Sequence, residues 1–170
     1  NTFGLGGDSE IKLEEAGLDP ELVLGPGRVV PVSLLALAYK SIIHDALESQ
    51  LRASIRGRYE GKFAMLSGIT AIVLPTGTSE IQLLKELSTC PKPVEENHAS
   101  KAQYAALKRL VSSGHVIVSA ATPRDAMHVL GNYNAWDKAA AEKTISLFAR
   151  QKNGRGQPIA PSTEAMAIRI

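Results

Sequence analysis

The stretch HVIVSAATPRDAMHVLG, His115–Gly131, decides the fold class. His115 to Ala120 is a short apolar run rich in β-branched residues, preceded by Gly114, and it reads as a strand. Two residues on, Thr122 stands where an N-cap belongs and Pro123 suits the first helical position, while Asp125 can reach back as the acid of a capping box. Met127, Val129 and Leu130 continue that helix and Gly131 closes it. A strand followed at once by a capped helix points to a layered α/β or α+β fold.

Working outward, Lys101–Ser112 reads as a helix stopped at Gly114, and CPKPVEENHAS (Cys90–Ser100) as an exposed connection. That connection, 90–100, is the candidate boundary between a segment 1–89 and a segment 101–170. Ser79 with Gln82 three places on reads as a capping box leading into Ile81, Leu83, Leu84 and Leu87. The run FAMLSGITAIVLP (Phe63–Pro75), interrupted at Gly68, suggests two short buried strands or one with a bulge. Before it, apolar residues from Leu34 to Ile55 recur at three or four positions. They describe one long amphipathic helix, or two with a break near Lys40 and Ser41, capped by Ser33 after Pro31. In the first thirty residues Gly4, Gly6, Gly7, Gly17, Gly25 and Gly27 exclude helix, and Ile11–Leu13 and Leu22–Leu24 suggest two short strands joined by turns.

Toward the C-terminus, Trp136–Gln151 reads as a helix with Ala139, Ala140, Ile145, Leu147, Phe148 and Ala149 inward. NGRGQP (Asn153–Pro158) is a loop, and Ser162 or Thr163 caps a last helix, EAMAIRI. The expected whole is a few short strands, in 1–30 and 62–75, under about six helices. Asn1, where a Met would stand, and Ile170, in mid-pattern, both read as cuts from a longer protein.

Composition supports an ordinary globular chain: 170 residues, 44% apolar and 21% charged. No run approaches the roughly 18 apolar residues of a membrane span, and NTFGLGGDSE lacks the basic and apolar regions of a secretory leader. With Cys90 the single cysteine, a reducing cytoplasm is the expected location and no membrane partner is expected. Net charge is only +2, yet residues 1–30 carry two basic and six acidic groups, and residues 101–170 carry ten basic and four acidic. Folded on separate faces, those parts would give a polarised surface.

The densest glycine cluster, GLGGDSE (Gly4–Glu10), is neither a P-loop nor a dinucleotide fingerprint, because it lacks the lysine of the first and opens no helix as the second requires. Gly6 and Gly7 allow positive φ and close approach of a phosphate, Asp8 offers a carboxylate to a water-bridged cation, and Ser9 a hydroxyl. A tight turn and a ligand-facing loop both satisfy that pattern. His44, His98, His115 and His128 share no ligand spacing with one another or with Cys90, so no zinc site is expected. His44 with Asp45 and Glu48 reads as a solvated helix face, and His128 as the edge of a core. No serine or cysteine occupies a nucleophile elbow, and no complete active site is visible. Helix, loop, helix and strand from Glu80 to Ser119 resemble the end of a winged-helix unit, with Gln103, Lys108 and Arg109 outward. No basic-aromatic stripe accompanies them, and a nucleic-acid partner is not expected.

Taken in order, NTFGLGGDSEIKL, LVLGPGRVVP (Leu22–Pro31), TPRDAMHVLGNYNAWDKAAA (Thr122–Ala141) and EAMAIRI (Glu164–Ile170) resemble the hydantoinase A family. That family comprises the ATP-using subunits of hydantoinases, 5-oxoprolinases and related ketone carboxylases. Its glycine-rich segment coincides here with Gly6, Gly7 and Ser9, its G-P pair with Gly25 and Pro26, and its D-A-x-x-x-L-G helix start with Asp125 and Gly131. Asp8 replaces a usual third glycine, and residues 32–121 match none of its motifs.

The resemblance implies an actin, sugar kinase and Hsp70-like ATPase lobe with a helical, winged-helix-like insertion. It also implies ATP and Mg2+ in the full-length protein, a small cyclic amide such as hydantoin or 5-oxoproline as substrate, and a second, hydantoinase B-like subunit as partner. In such an enzyme phosphorylation of the amide carbonyl oxygen prepares the ring for attack by water. The two phosphate loops and the adenosine segment of that fold are absent from this chain. They are expected upstream of Asn1 and downstream of Ile170, so that the chain alone holds no ATP and is inactive. Gly6, Gly7, Asp8 and Ser9 are the residues expected near a phosphate or substrate, and no catalytic residue is assigned. A non-catalytic interaction module, or a nucleic-acid-binding winged helix, are the other readings of the same sequence.

Overall fold

Short apolar runs that alternate between two faces form a sheet, and longer runs with three-to-four-residue spacing form the helices covering it. The computed structural model describes residues 8–14, 18–57, 59–68, 77–94 and 101–170. Among them the elements run β1 (Asp8–Glu14), β2 (Glu21–Pro31), α1 (Val32–Ala38), α2 (Lys40–Arg52), β3 (Phe63–Leu66) and α3 (Thr78–Leu87). There follow β4 (Lys92–Pro93), α4 (Lys101–Ser112), β5 (Val116–Ala120), α5 (Pro123–Val129), α6 (Lys138–Ala149) and α7 (Thr163–Arg169).

The strands form one mixed sheet in the order β1-β2-β5-β3-β4. β1 and β2 run antiparallel from Asp8↔Val29 to Glu14↔Glu21, with the register broken between Ser9 and Ile11. β2 and β5 are parallel at Val30↔Ser119, and β3 pairs antiparallel with both β5 and β4. The sheet thus draws strands from both sides of the 90–100 connection.

The alternation along β3 shows why two helical layers are needed. Phe63 and Met65 point into a core with Leu35 of α1, Ile43 and Leu47 of α2 and Leu147 of α6. Ala64 and Leu66 point the other way, against Leu87 of α3 and Leu107 and Leu110 of α4. A third core joins Ile11 of β1, Ala126 of α5, Ile145 and Phe148 of α6 and Met166 of α7. Each fully buried side chain of this size contributes about 1.5–3 kcal/mol relative to exposure. The result is a mixed α/β architecture.

Several local expectations change. Helix α1 starts at Val32, with Pro31 rather than Ser33 in the N-cap position. The reason is competition: Ser33 gives both its N–H and its hydroxyl to Asp125. The long helix breaks at Tyr39, one residue before the anticipated break, and α2 stops at Arg52, leaving Ile55 88% exposed. Arg150 reinforces the end of α2 by donating to the Gln50 and Leu51 carbonyls at 2.6 and 2.8 Å, the first of which also accepts from Ala53 N at 3.2 Å. The Ser79–Gln82 capping box is not formed. α3 begins earlier, with Gly77 as N-cap and no side-chain cap, and Gln82 donates instead to Glu86 at 3.2 Å.

Ala139, expected inward, is exposed, because the buried face of α6 runs through Ala140, Ala141, Thr144, Ile145 and Phe148; Asp137 caps the helix by accepting from Ala140 N at 2.9 Å. β3 accounts for the first part of the Phe63–Pro75 run, and positions 69–76 lie outside the described residues, as do 95–100 of the connection. Lys92–Pro93, inside that connection, pairs as a short strand. No helix among the described residues is long and apolar enough to cross a membrane.

Candidate functional site

Strand β1 carries the part of the glycine-rich segment that can be placed. Gly6 and Gly7 lie outside the described residues, and Asp8 and Ser9 begin the strand. The Asp8 carboxylate is not open to a cation. Its Oδ2 lies 3.2 Å from Nε of Arg124, at the second position of α5. Arg124 in turn rests on two aromatic faces, 5.1 Å from the Trp136 ring and 5.8 Å from the Tyr133 ring. Below them sits His128, which meets Tyr133 edge-on at 4.9 Å and Trp136 at 5.8 Å. Ser9 is exposed and lies opposite Arg28 in the β1–β2 register. Gly25, joined to Pro26 by a cis peptide bond, has φ +70°, and a Cβ there would stand 4.0 Å from Ser9 Oγ.

The Thr122 start signal forms as its sequence demands and does more than cap. The Thr122 hydroxyl accepts from Asp125 N at 3.3 Å, while Asp125 Oδ2 accepts from the N–H and hydroxyl of Thr122, each at 2.9 Å. Its other oxygen accepts from Ser33 N at 3.0 Å and Ser33 Oγ at 2.6 Å. One wholly buried carboxylate therefore ties α5 to α1. Burial pushes its pKa up, against the four hydrogen bonds, which favour the charged form. Asp125, which the resemblance singles out, is here a structural pin rather than an open acid.

The two histidines also depart from their sequence reading. His128 is fully buried, not at an edge, and neither ring nitrogen has a partner among the described residues. Desolvation holds its pKa below the usual value. His44 is half-buried rather than solvated: Nε2 lies 3.0 Å from Asp137 Oδ2, and Lys143 Nζ stands 2.9 Å from Nδ1. Because an ammonium can only donate, Nδ1 accepts and the ring proton sits on Nε2, facing Asp137. Lys143 also pairs with Glu48, which lowers the Glu48 pKa. Burial pushes Asp137 up, but the hydrogen bonds from His44 and Ala140 N and the nearby Lys40 charge bring it below its ordinary value. The chain Glu48–Lys143–His44–Asp137 clamps α2 to α6.

A second constellation on β1 has no signal in the sequence. Glu10, 7% exposed, is paired with Lys62 and lies 3.3 Å from Lys12 Nζ. Beside it Tyr59 stacks on Tyr104 of α4, centroids 5.0 Å apart, with Lys62 over the first ring and Lys108 over the second. Only the spacing of Tyr104 and Lys108, four residues apart on one helix face, was available to a reader of the sequence. Of the residues considered for nucleic acid, Lys108 lies on Tyr104, Arg109 is paired with Glu80 of α3, and Gln103 is exposed.

Carboxylates of the segments that resemble the family are engaged within the fold. Asp8 is engaged by Arg124, Asp125 is sealed, and among the described residues no three His, Cys, Asp or Glu side chains gather as a metal site would need. Compared with protein families, with curated proteins and with solved structures, the chain matches none.

Proposed function

We propose that the chain is a segment of a cytoplasmic ATP-dependent cyclic-amide hydrolase of the hydantoinase A type, an edge of an actin-like nucleotide lobe joined to a helical insertion. The observation that carries this reading is a convergence. The four stretches that resemble that family lie far apart in sequence, yet all four contribute to one core. Ile11 and Leu13 come from the first, Leu22 from the second, Ala126, Val129 and Leu130 from the third, and Met166, Ala167 and Ile170 from the last. Parts of one inherited unit are expected to pack together in this way. In this reading Arg124 holds Asp8 at the start of β1, Gly6, Gly7, Asp8 and Ser9 belong to the substrate or phosphate side, and the phosphate loops and the hydantoinase B-like subunit lie beyond this chain.

Two measurements test it. A form extended on both sides should hydrolyse ATP faster when a cyclic amide from a panel including hydantoin and 5-oxoproline is present. The chain by itself should give no heat when titrated with Mg-ATP. A micromolar affinity for Mg-ATP in the chain alone, or an extended form indifferent to every cyclic amide, would overturn the proposal.

A further inference from the structure

A cleft of about 360 Å³ opens between β1, the end of β2 and α4. This is within the range of about 300–1,000 Å³ typical of small-molecule sites. One wall is apolar, made by Val29, Leu107, Val111 and Val118. The other carries charge: Lys12, Arg28, Lys62 and Lys108 all line it, and Glu10 is the one carboxylate among the described lining residues. Glu10 faces two of the lysines, pairing with Lys62 and lying 3.3 Å from Lys12. A single negative charge shared by two ammonium groups leaves a positive remainder, to which Lys108, seated over Tyr104 at 5.0 Å, adds. Packing alone gives no reason to gather these cations against an apolar wall. Their mutual repulsion costs stability, and in a cleft with low-dielectric walls their field is concentrated on whatever enters.

The carboxylate that organises the lysines is itself accommodated by a missing side chain. A Cβ on Gly27 would come within 3.3 Å of Glu10 Oε2, closer than most such contacts in proteins. The stacked pair of Tyr59 and Tyr104 fixes the floor between the lysines. Tyr59 and Tyr104 cover one face of each other, and Lys62 and Lys108 lie over the rings.

We propose that this cleft binds a small organic anion, an apolar body lying on Val29, Leu107 and Val111 with a phosphate or carboxylate head held by Lys12, Lys62 and Lys108. The site lies on the opposite side of β1 from the Ile11 core, and it stands independently of the ATP-dependent reading.

The test is a titration of the chain followed by amide chemical shifts. Phenyl phosphate and benzoate serve as complete probes, inorganic phosphate as head alone and benzyl alcohol as body alone. At least one complete probe should give saturable shifts centred on Lys12, Val29 and Lys108, at an affinity about tenfold or more above either half-probe, and the tighter of the two identifies the head group. Lys12→Gln with Lys108→Gln, both on exposed or half-exposed side chains and so compatible with folding, should weaken that probe about tenfold. Lys138→Gln, an exposed lysine on α6, should leave it unchanged. No saturable shift with either complete probe, inorganic phosphate binding as tightly as phenyl phosphate, or a double variant that binds like the parent overturns the assignment.

Discussion

Replacing Asp125 by alanine removes the acceptor for four donors at once. Ser33 N, Ser33 Oγ, Thr122 N and Thr122 Oγ1 are all buried, at 2.6–3.0 Å from the carboxylate. The hydroxyls can turn to other partners, but the two backbone N–H groups cannot, and each orphaned buried donor costs about 1–3 kcal/mol. Loss of half of the capping box adds about 1 kcal/mol, and relief of a desolvated carboxylate offsets part of the sum. The net expectation is a loss of about 3 kcal/mol in urea unfolding, or a fall of about 6–12 °C in Tm for a chain of this size.

The pH dependence makes the prediction sharper. Burial raises the folded-state pKa of Asp125, so the folded chain holds this proton more tightly than the unfolded chain does. That contribution is fully present below the unfolded carboxylate pKa and is lost as pH rises through the folded value. The gap between parent and Asp125→Ala should therefore widen as pH falls from neutral, while other carboxylates act equally on both. A loss under about 1 kcal/mol with an unchanged denaturant slope, or a gap that narrows on acidification, would refute the pin.

His128→Phe replaces a buried ring whose two nitrogens have no partner among the described residues by an apolar ring of similar shape, so stability at pH 7 should change by less than about 1 kcal/mol. Because desolvation depresses the His128 pKa, its contribution is present above the unfolded value and lost as pH falls, and the variant should lose less stability than the parent between neutral and about pH 5. Chemical denaturation at both pH values checks this, and a loss above about 2 kcal/mol at pH 7 would reveal a hidden partner. Gly61→Ala forces a side chain onto φ +74° within 3.5 Å of Thr144 Cγ2 and should cost about 1–2 kcal/mol of stability. Met166→Ala hollows the core shared by β1, α5, α6 and α7 and should cost about 2–5 kcal/mol, measured by thermal unfolding.

What the sequence reveals here depends on how far apart the interacting residues lie. The Thr122–Asp125 capping box was readable because its four residues are contiguous and each has one local job, and the strands of β1 and β2 were readable from their glycines and short apolar runs. Ser33 was misread as a cap because the group that claims its N–H and hydroxyl is 92 residues away. The same distance effect hid the role of His44, whose partners Asp137 and Lys143 sit on another helix, and turned a solvated face into a clamp. At the glycine-rich segment the outcome is split. Asp8 and Ser9, expected in a tight turn or a ligand-facing loop, instead begin strand β1, and Asp8 is satisfied by Arg124, a partner that no spacing rule names. Glu10, next to Ser9 at the end of the same segment, is the acid around which the cationic cleft forms.

The uneven distribution of charge along the chain takes a different meaning in three dimensions. An acidic start and a basic end would give two opposed faces if they folded apart, yet the ion pairs join them. Asp8 meets Arg124, Glu48 meets Lys143, Glu60 meets Arg150 at 2.6 Å, and Glu80 meets Arg109. In each pair the acid comes from before the 90–100 connection and the base from after it. Exposed pairs of this kind contribute little individually, but Glu60 and Arg150 are largely buried, and separating them would leave a charge without compensation. Four of the ten basic residues after the connection are thus paired with acids before it, which helps to dock the second part of the chain onto the first. The cluster around Glu10 differs: there, among the described residues, Lys12, Lys62 and Lys108 gather with one acid at a cleft, and it is on this imbalance that the proposed anion site rests.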